Sequence, residues 1–264
     1  MRLSVLSMRT FLKHVHHKVY LVAVFFCFIW WWPWLFYWKN NPQRYRSHLA
    51  NARRAIAKWS SRFCGFRFKF KSIGAASFPS NAVYCANHSS NLDIAALILG
   101  IPHDFSFLGK AELIKNPVTR LFFKSIDIPV LRSSKISAYR AYQKSLHVLK
   151  GGNALVIFPE GGISEHYPPP LSPFKSGSFR LAIEQQVPIV PIVIQDAWLR
   201  LWDDGSTYGS SPGTIHVTIL APISTKDWTV TQSDQLSQIV FDQMNAAIKS
   251  FDGCNKSTKP TSNS

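Results

Sequence analysis

Short apolar runs alternate with longer stretches of helical periodicity over residues 66–251. FRFKFK, residues 66–71, alternates residue by residue, which puts one apolar face on a strand. Further strands are predicted at 82–86 (AVYCA), 105–108, 128–131, 154–158, 189–194 and 214–220, with helices at 91–99, 116–124, 134–149, 176–186 and 231–251 between or after them. Strands separated by helices of this length give an α/β fold, a mostly parallel sheet flanked by helices. Gly151 and Gly152 close the helix at 134–149, since glycine takes the left-handed cap conformation at little cost. YPPPLSP, residues 167–173, is incompatible with regular structure and marks a rigid loop.

Ahead of this domain, residues 19–38 (VYLVAVFFCFIWWWPWLFYW) are twenty positions without a formal charge. A helix of that length is about 30 Å long, enough to cross a bilayer core. Pro33 predicts a kink, and the six Trp and Tyr after Phe28 belong at the headgroup level. The segment therefore reads as a membrane-embedded helix, re-entrant or half-spanning. A cleaved signal peptide fits poorly, because bulky aromatics stand where small residues belong.

Next, Tyr45, Leu49, Ala52, Ile56, Trp59 and Phe63 recur in steps of four and three and form one helical stripe. Arg44, Arg46, Arg53, Arg54, Lys58 and Arg62 fall largely off it. A basic amphipathic helix beside an apolar anchor suits an anionic bilayer, each basic group adding about 1 kcal/mol. The competing reading is a coiled-coil helix or one packed against a core. Three segments result: membrane-embedded helices over 1–65, the α/β domain over 66–251, and a disordered polar tail over 252–264.

Charge sharpens this division. The net charge is +16, and residues 1–92 contain fourteen Lys and Arg with no Asp or Glu. Nucleic acid is disfavoured as the partner by the adjacent apolar run and by the lack of any zinc-finger or RNA-recognition pattern, which leaves a lipid bilayer. If residues 19–38 cross the membrane, ten basic residues from Lys39 to Lys71, against four before the apolar run, place the following domain on its cytoplasmic face. Cys27, Cys64, Cys85 and Cys254 are far apart and form no CxxC pair, so neither metal nor redox chemistry is indicated, and they read as isolated thiols.

Reactive groups in a parallel sheet gather beyond the carboxyl ends of its strands. Three clusters fall there: NHSSNLD after 82–86, RSS after 128–131 and PEGG after 154–158. In NHSSNLD, Ser89 or Ser90 can cap the next helix, and Asp93 in its first turn is favoured as an anion. Asp93 could hold one imidazole nitrogen of His88 and leave the other as a base, or the pair could be a capped helix start with a surface histidine. No GxSxG elbow occurs, and the two serines suit capping better than attack, so the hydroxyl that such a base deprotonates comes from the substrate. In FPEGG, Gly161 and Gly162 allow close backbone approach and N–H groups aimed at an anion or oxyanion. Arg132 and Lys175, each just past a strand or before a helix, could hold a phosphate or simply be solvated.

The ordered set NHSSNLD, GKAEL (109–113), IPVLR (128–132), FPEGG (158–162), FKSG (174–177) and VPIVPI (187–192) resembles the lysophospholipid acyltransferase family, most of all its 1-acylglycerol-3-phosphate acyltransferases, over residues 80–195. The resemblance implies transfer of a fatty acyl chain from a coenzyme A or carrier-protein thioester to the free hydroxyl of a lysophospholipid, with no covalent enzyme intermediate and no cofactor. It makes His88 and Asp93 the HX4D dyad. It places Arg132 at the acceptor phosphate, Glu160 and Gly161 at the glycerol or phosphate end, and Gly162, Lys175 and Lys110 among the substrate-binding residues. VPIVPI corresponds to the block that shapes the acyl site. Two departures bear on the acceptor: Ile163 stands where the family often has arginine, and Leu131 where it often has aspartate. A different lysolipid acceptor, or a lipid-binding protein without catalysis, are the other readings.

Overall fold

In the computed structural model, residues 2–74, 78–131 and 133–257 are described, with side chains for those between 8 and 251. Two helices, α1 (Arg2–Trp38) and α2 (Arg46–Phe63), precede a seven-stranded sheet: β1 (Phe66–Ser72), β2 (Val83–Ala86), β3 (Phe105–Lys110), β4 (Ile128–Val130), β5 (Ala154–Ile157), β6 (Ile189–Ile194) and β7 (Gly213–Ile219). The intervening helices are α3 (Leu92–Gly100), α4 (Pro117–Phe123), α5 (Lys135–Lys150), α6 (Gly177–Glu184) and α7 (Ala197–Arg200), and α8 (Ser233–Ser257) follows the sheet. Strand order is β1-β7-β6-β2-β5-β3-β4. From β6 to β4 every pair is parallel, β7 runs antiparallel to β6, and β1 runs parallel to β7. The expected mostly parallel sheet is thus present, with β1 on an antiparallel flank.

Alternate side chains of each central strand feed two cores. Tyr84, Val156 and Ile192 face α3, Ala57 of α2 and Tyr20 of α1. Val83, Leu155 and Val193 face α5, α6 and α8. Burying each such side chain contributes about 1.5–3 kcal/mol, which is why β2, β5 and β6 are apolar throughout. Because β2 lies between β6 and β5 while the chain next visits β3, its carboxyl end opens on a crevice between strands. The sheet thereby sets the loops after β2, β3, β4, β5 and β6 along one edge.

The local capping follows the sequence. Gly152 takes φ +73° just past α5, and the Asn116 side chain accepts the Val118 amide at 2.9 Å to start α4. Other boundaries move. The helix that contains Pro33 runs without a break from Arg2 to Trp38, so the one lost backbone bond does not end it. The helix placed at 176–186 stops at Glu184, with Gln186 in the left-handed region. The tail expected from 252 begins as helix, since α8 runs to Ser257, and 258–264 lie outside the described residues.

In α2 three of the four arginines, Arg46, Arg53 and Arg54, reach into the protein, while Arg62 and the neighbouring Lys58 are exposed. Arg53 is buried and donates to Asp127 Oδ1 at 2.8 Å and to the Phe105 carbonyl at 3.0 Å, with its guanidinium over the Phe105 ring. Arg46 reaches Ser106 Oγ, and Arg54 reaches the carbonyls of Ile98 and Ile101. At the other end of the stripe Trp59 and Phe63 are exposed, 46% and 70%. The buried face is Leu49, Ala52, Arg53, Ile56 and Ser60, turned by about one residue from the apolar stripe because the carbonyls ending α3 and starting β3 accept guanidinium bonds. One face of the helix is thus packed on the domain, and Lys58, Trp59, Arg62 and Phe63 stay exposed on the other.

Candidate active site

At the end of β2 the Asn87 side chain acts as one more rung of sheet. Its Nδ2 donates to the Ile194 carbonyl at 2.9 Å and its Oδ1 accepts the Ile194 amide at 2.7 Å. Beyond that rung the chain turns sharply. Ser90 Oγ accepts the Leu92 amide at 3.0 Å, which starts α3 as the sequence implies. A segment distant in sequence clamps the turn from outside: the Asp203 amide donates to the Ser89 carbonyl at 3.1 Å, and the Asp203 carbonyl accepts the Asn91 amide at 2.8 Å. Asp203 takes φ +52° to do so, a region that Asp tolerates better than most residues.

Asp93, wholly buried, sits under this turn. Its Oδ2 accepts three hydrogen bonds, from His88 Nδ1 at 3.0 Å, the Ser89 amide at 2.6 Å and the Ser90 amide at 2.8 Å. A carboxylate only accepts, so the neutral imidazole carries its proton on Nδ1 and leaves Nε2 with a lone pair. Nε2 has no hydrogen-bond partner among the described residues, and the side chain keeps 17% of its surface open. The ring lies flat on Phe158, centroids 3.9 Å apart and planes 14° apart, and Phe158 in turn stacks on Phe107. Position, tautomer and plane of the imidazole are each fixed by a different neighbour.

Glu160 is the second carboxylate of the site. Its Oε1 accepts the His88 amide at 2.7 Å and its Oε2 accepts the Ser172 amide at 2.7 Å, so it ties the β5 loop and the proline loop to the catalytic turn. Burial pushes its carboxyl above the ordinary range, and the two amide bonds pull the other way without cancelling it. It braces first, with both oxygens already engaged.

Gly161 follows with φ +81°, and a methyl group on it would lie 2.8 Å from Lys175 Nζ. FPEGG and FKSG therefore meet, held also by the Lys175 amide on the Pro159 carbonyl at 2.9 Å. The Gly161 amide, expected to face an anion, is spent on the Phe158 carbonyl at 3.0 Å inside its own turn. Lys175 supplies the positive charge at that place, and Gly162 follows half-buried in the loop. Lys110 stands exposed at the end of β3, and Arg132 lies outside the described residues. Asp203 joins the two sides. Burial and the nearby Asp204 push its carboxyl up, and the fields of His88 and Lys110 oppose that.

Cys85, buried in β2 close to the dyad, is no rival nucleophile, because burial pushes its thiol up to about 12. Sequence reasoning missed three contributors. Phe158 was visible only as the last apolar residue before PEGG, Asn87 only as a neighbour of His88, and Asp203, in WDDG, carries no local signal at all.

This arrangement can take a proton from a hydroxyl brought to Nε2, beside cations able to hold an anionic group. Comparison with known proteins agrees with that chemistry. Residues 69–195 match the family model described as Acyltransferase. Over 171 residues the chain is 31% identical to a 1-acyl-sn-glycerol-3-phosphate acyltransferase of Limnanthes douglasii, covering 64% of this chain and 59% of that one. Over 170 residues it is 33% identical to the enzyme of the same name from Saccharomyces cerevisiae, covering 63% and 55%. The chain thus spans a little over half the length of these curated relatives. Its fold superposes on the crystal structure of the 1-acyl-sn-glycerophosphate acyltransferase of Thermotoga maritima with a TM-score of 0.76 at 18% identity, over 92% of this chain and 98% of that one.

Proposed function

On the match of residues 69–195 to the Acyltransferase family model, we propose that the chain moves a fatty acyl group from a thioester to the free hydroxyl of 1-acylglycerol 3-phosphate, giving phosphatidic acid. The observation that carries this reading is the His88–Asp93 pair, with Nδ1 committed at 3.0 Å and Nε2 open at the mouth of a parallel sheet. The names of the relatives supply the acceptor.

His88 Nε2 takes the hydroxyl proton as the oxygen attacks the thioester carbon. The new C–O bond forms, the C–S bond breaks, and the proton passes from imidazolium to the departing thiolate. Asp93 stabilises the imidazolium through Nδ1. A positioned base contributes typically about 100- to 10,000-fold, and holding two amphiphiles in register supplies much of the remainder. Lys110, Lys175 and Arg132 are assigned to the acceptor phosphate, with Glu160 bracing the glycerol end. No cofactor is required by this scheme, since both reactants are substrates.

Both substrates are amphiphiles, so the enzyme gains by resting on a bilayer. Among the described residues, Met8–Trp38 is a helix long and apolar enough to cross one, and Phe26, Trp30, Trp34 and Tyr37 expose half or more of their surfaces on it. The catalytic domain is assigned to the cytoplasmic face on the basic residues that follow that helix.

Ile163 favours a second reading, the same chemistry on a different lysophospholipid or lyso-aminolipid. A panel of lysolipid acceptors offered to the detergent-solubilised protein with palmitoyl-CoA and with palmitoyl-carrier protein decides. Lysophosphatidic acid is expected to be the best acceptor, and its being a poor one would transfer the assignment to another headgroup.

A further inference from the structure

A cavity of about 410 Å³ opens beside His88 on the side away from Lys110, between the proline loop and α8. His88, Ser89, Gln195, Pro169 and Asn245 line it, with Lys249, exposed on α8. The sheet order places it. Lys110 follows β3, on one side of β2, whereas Gln195 follows β6 on the other. The base therefore stands between Lys110 on the β3 side and this cavity on the β6 side.

We infer that this cavity is the subsite for the phosphopantetheine arm of the acyl donor, with Gln195 and Asn245 along the arm and Lys249 at its phosphate. This rests on the acyltransferase reading. Three observations carry it. A volume of this size suits one slender ligand, near the lower end of what small-molecule sites enclose, and excludes two amphiphiles at once. The lining mixes Gln195, Asn245 and Ser89 with Pro169, Ile248 and Trp198, which suits a chain of amides and methylenes. Two buried polar atoms also have no partner among the described residues: Gln195 Oε1, whose amide nitrogen donates to Thr218 Oγ1, and Ser89 Oγ next to the base. Gln195 Oε1 lacks a donor, and an amide N–H of the arm is one. The acidic residue on the wall, Glu160, already has both oxygens engaged by amides, so it does not repel the donor's phosphate as a free carboxylate would. Asn245, Ile248 and Lys249 lie on one face of α8, outside the stretch that matches the family model.

The chemistry is shared by coenzyme A and by carrier protein, which both present 4′-phosphopantetheine. Steady-state kinetics of the full chain with Lys249→Glu, Asn245→Ala and, as a charge control outside the cavity, the exposed Lys226→Glu test it against three donors: palmitoyl-CoA, palmitoyl-carrier protein and palmitoyl-pantetheine, which lacks the phosphate. Lys249→Glu is expected to raise KM about tenfold for both phosphate-bearing donors and to leave it unchanged for palmitoyl-pantetheine. Asn245→Ala is expected to raise KM for all three. The acceptor KM stays at its wild-type value in both, Lys226→Glu alters neither, and the better of the two phosphate-bearing donors identifies the source. A rise in acceptor KM with donor KM unchanged overturns the subsite while the acyltransferase reading stands. Wild-type protein that transfers no acyl group from any donor removes that reading and the subsite with it.

Discussion

Asp93 holds His88 through one carboxylate oxygen that also gathers the amides of Ser89 and Ser90, so a single atom fixes both the catalytic turn and the tautomer of the ring it carries. Asp93→Asn removes the charge and keeps the shape. With its carbonyl oxygen in the place of Oδ2 the amide still accepts the protons of Ser89, Ser90 and Nδ1. The turn and the tautomer persist, while the imidazolium formed on proton transfer loses its counter-ion. The expected result is a loss of at least about 100-fold in kcat with little change in either KM, measured as thiol release and product formation in parallel.

Glu160 gives a pH signature. Burial holds its carboxyl above the ordinary value of 4.5, so between 4.5 and its folded value the folded chain binds more protons than the unfolded one. Its contribution to stability therefore falls as pH rises through that window and is level on either side. Glu160→Gln lacks the titration but also turns an NH2 toward one of the two amides, which costs about 1–3 kcal/mol. Melting temperatures of wild type and variant from pH 4 to 7 should converge as pH rises, with the variant lower throughout. Divergence with rising pH would contradict the burial argument.

Arg53 tests whether α2 belongs to the fold. Its guanidinium satisfies buried Asp127, whose Oδ1 also takes the Phe107 amide at 2.8 Å. Arg53→Met keeps the aliphatic volume and leaves Asp127 buried without its cation, an expected loss of about 3–5 kcal/mol in denaturant unfolding. A surface arginine serving only a bilayer would cost almost nothing. Replacing Asp127 by Asn in the same background should recover part of the loss, because the uncompensated charge is then gone.

The sequence made the architecture legible where periodicity is strong. Val83 to Ala86, Ala154 to Ile157 and Ile189 to Ile194 are apolar throughout because both faces of those strands are covered, and they were read almost to the residue. The dyad was legible because Asp93 lies in the first turn of the helix that His88 precedes, a local relationship. What stayed hidden was long-range. Arg53 sits one step round the helix from an apolar stripe, and only the carbonyls of another element explain its burial. The clamp from Asp203 to Ser89 crosses more than a hundred residues and uses backbone atoms, which leave no mark on side-chain identity. The Gly161 amide was expected to face a ligand, and the turn that consumes it depends on backbone geometry no motif encodes.

The central claim is that His88 Nε2 is the base that activates the acceptor hydroxyl. It is tested most directly by acyl transfer from palmitoyl-CoA to lysophosphatidic acid with purified wild type and His88→Ala, each confirmed to accumulate and to melt cooperatively. The account predicts that the variant loses at least about 100-fold in kcat while remaining folded. Turnover equal to wild type in a folded His88→Ala protein would contradict it.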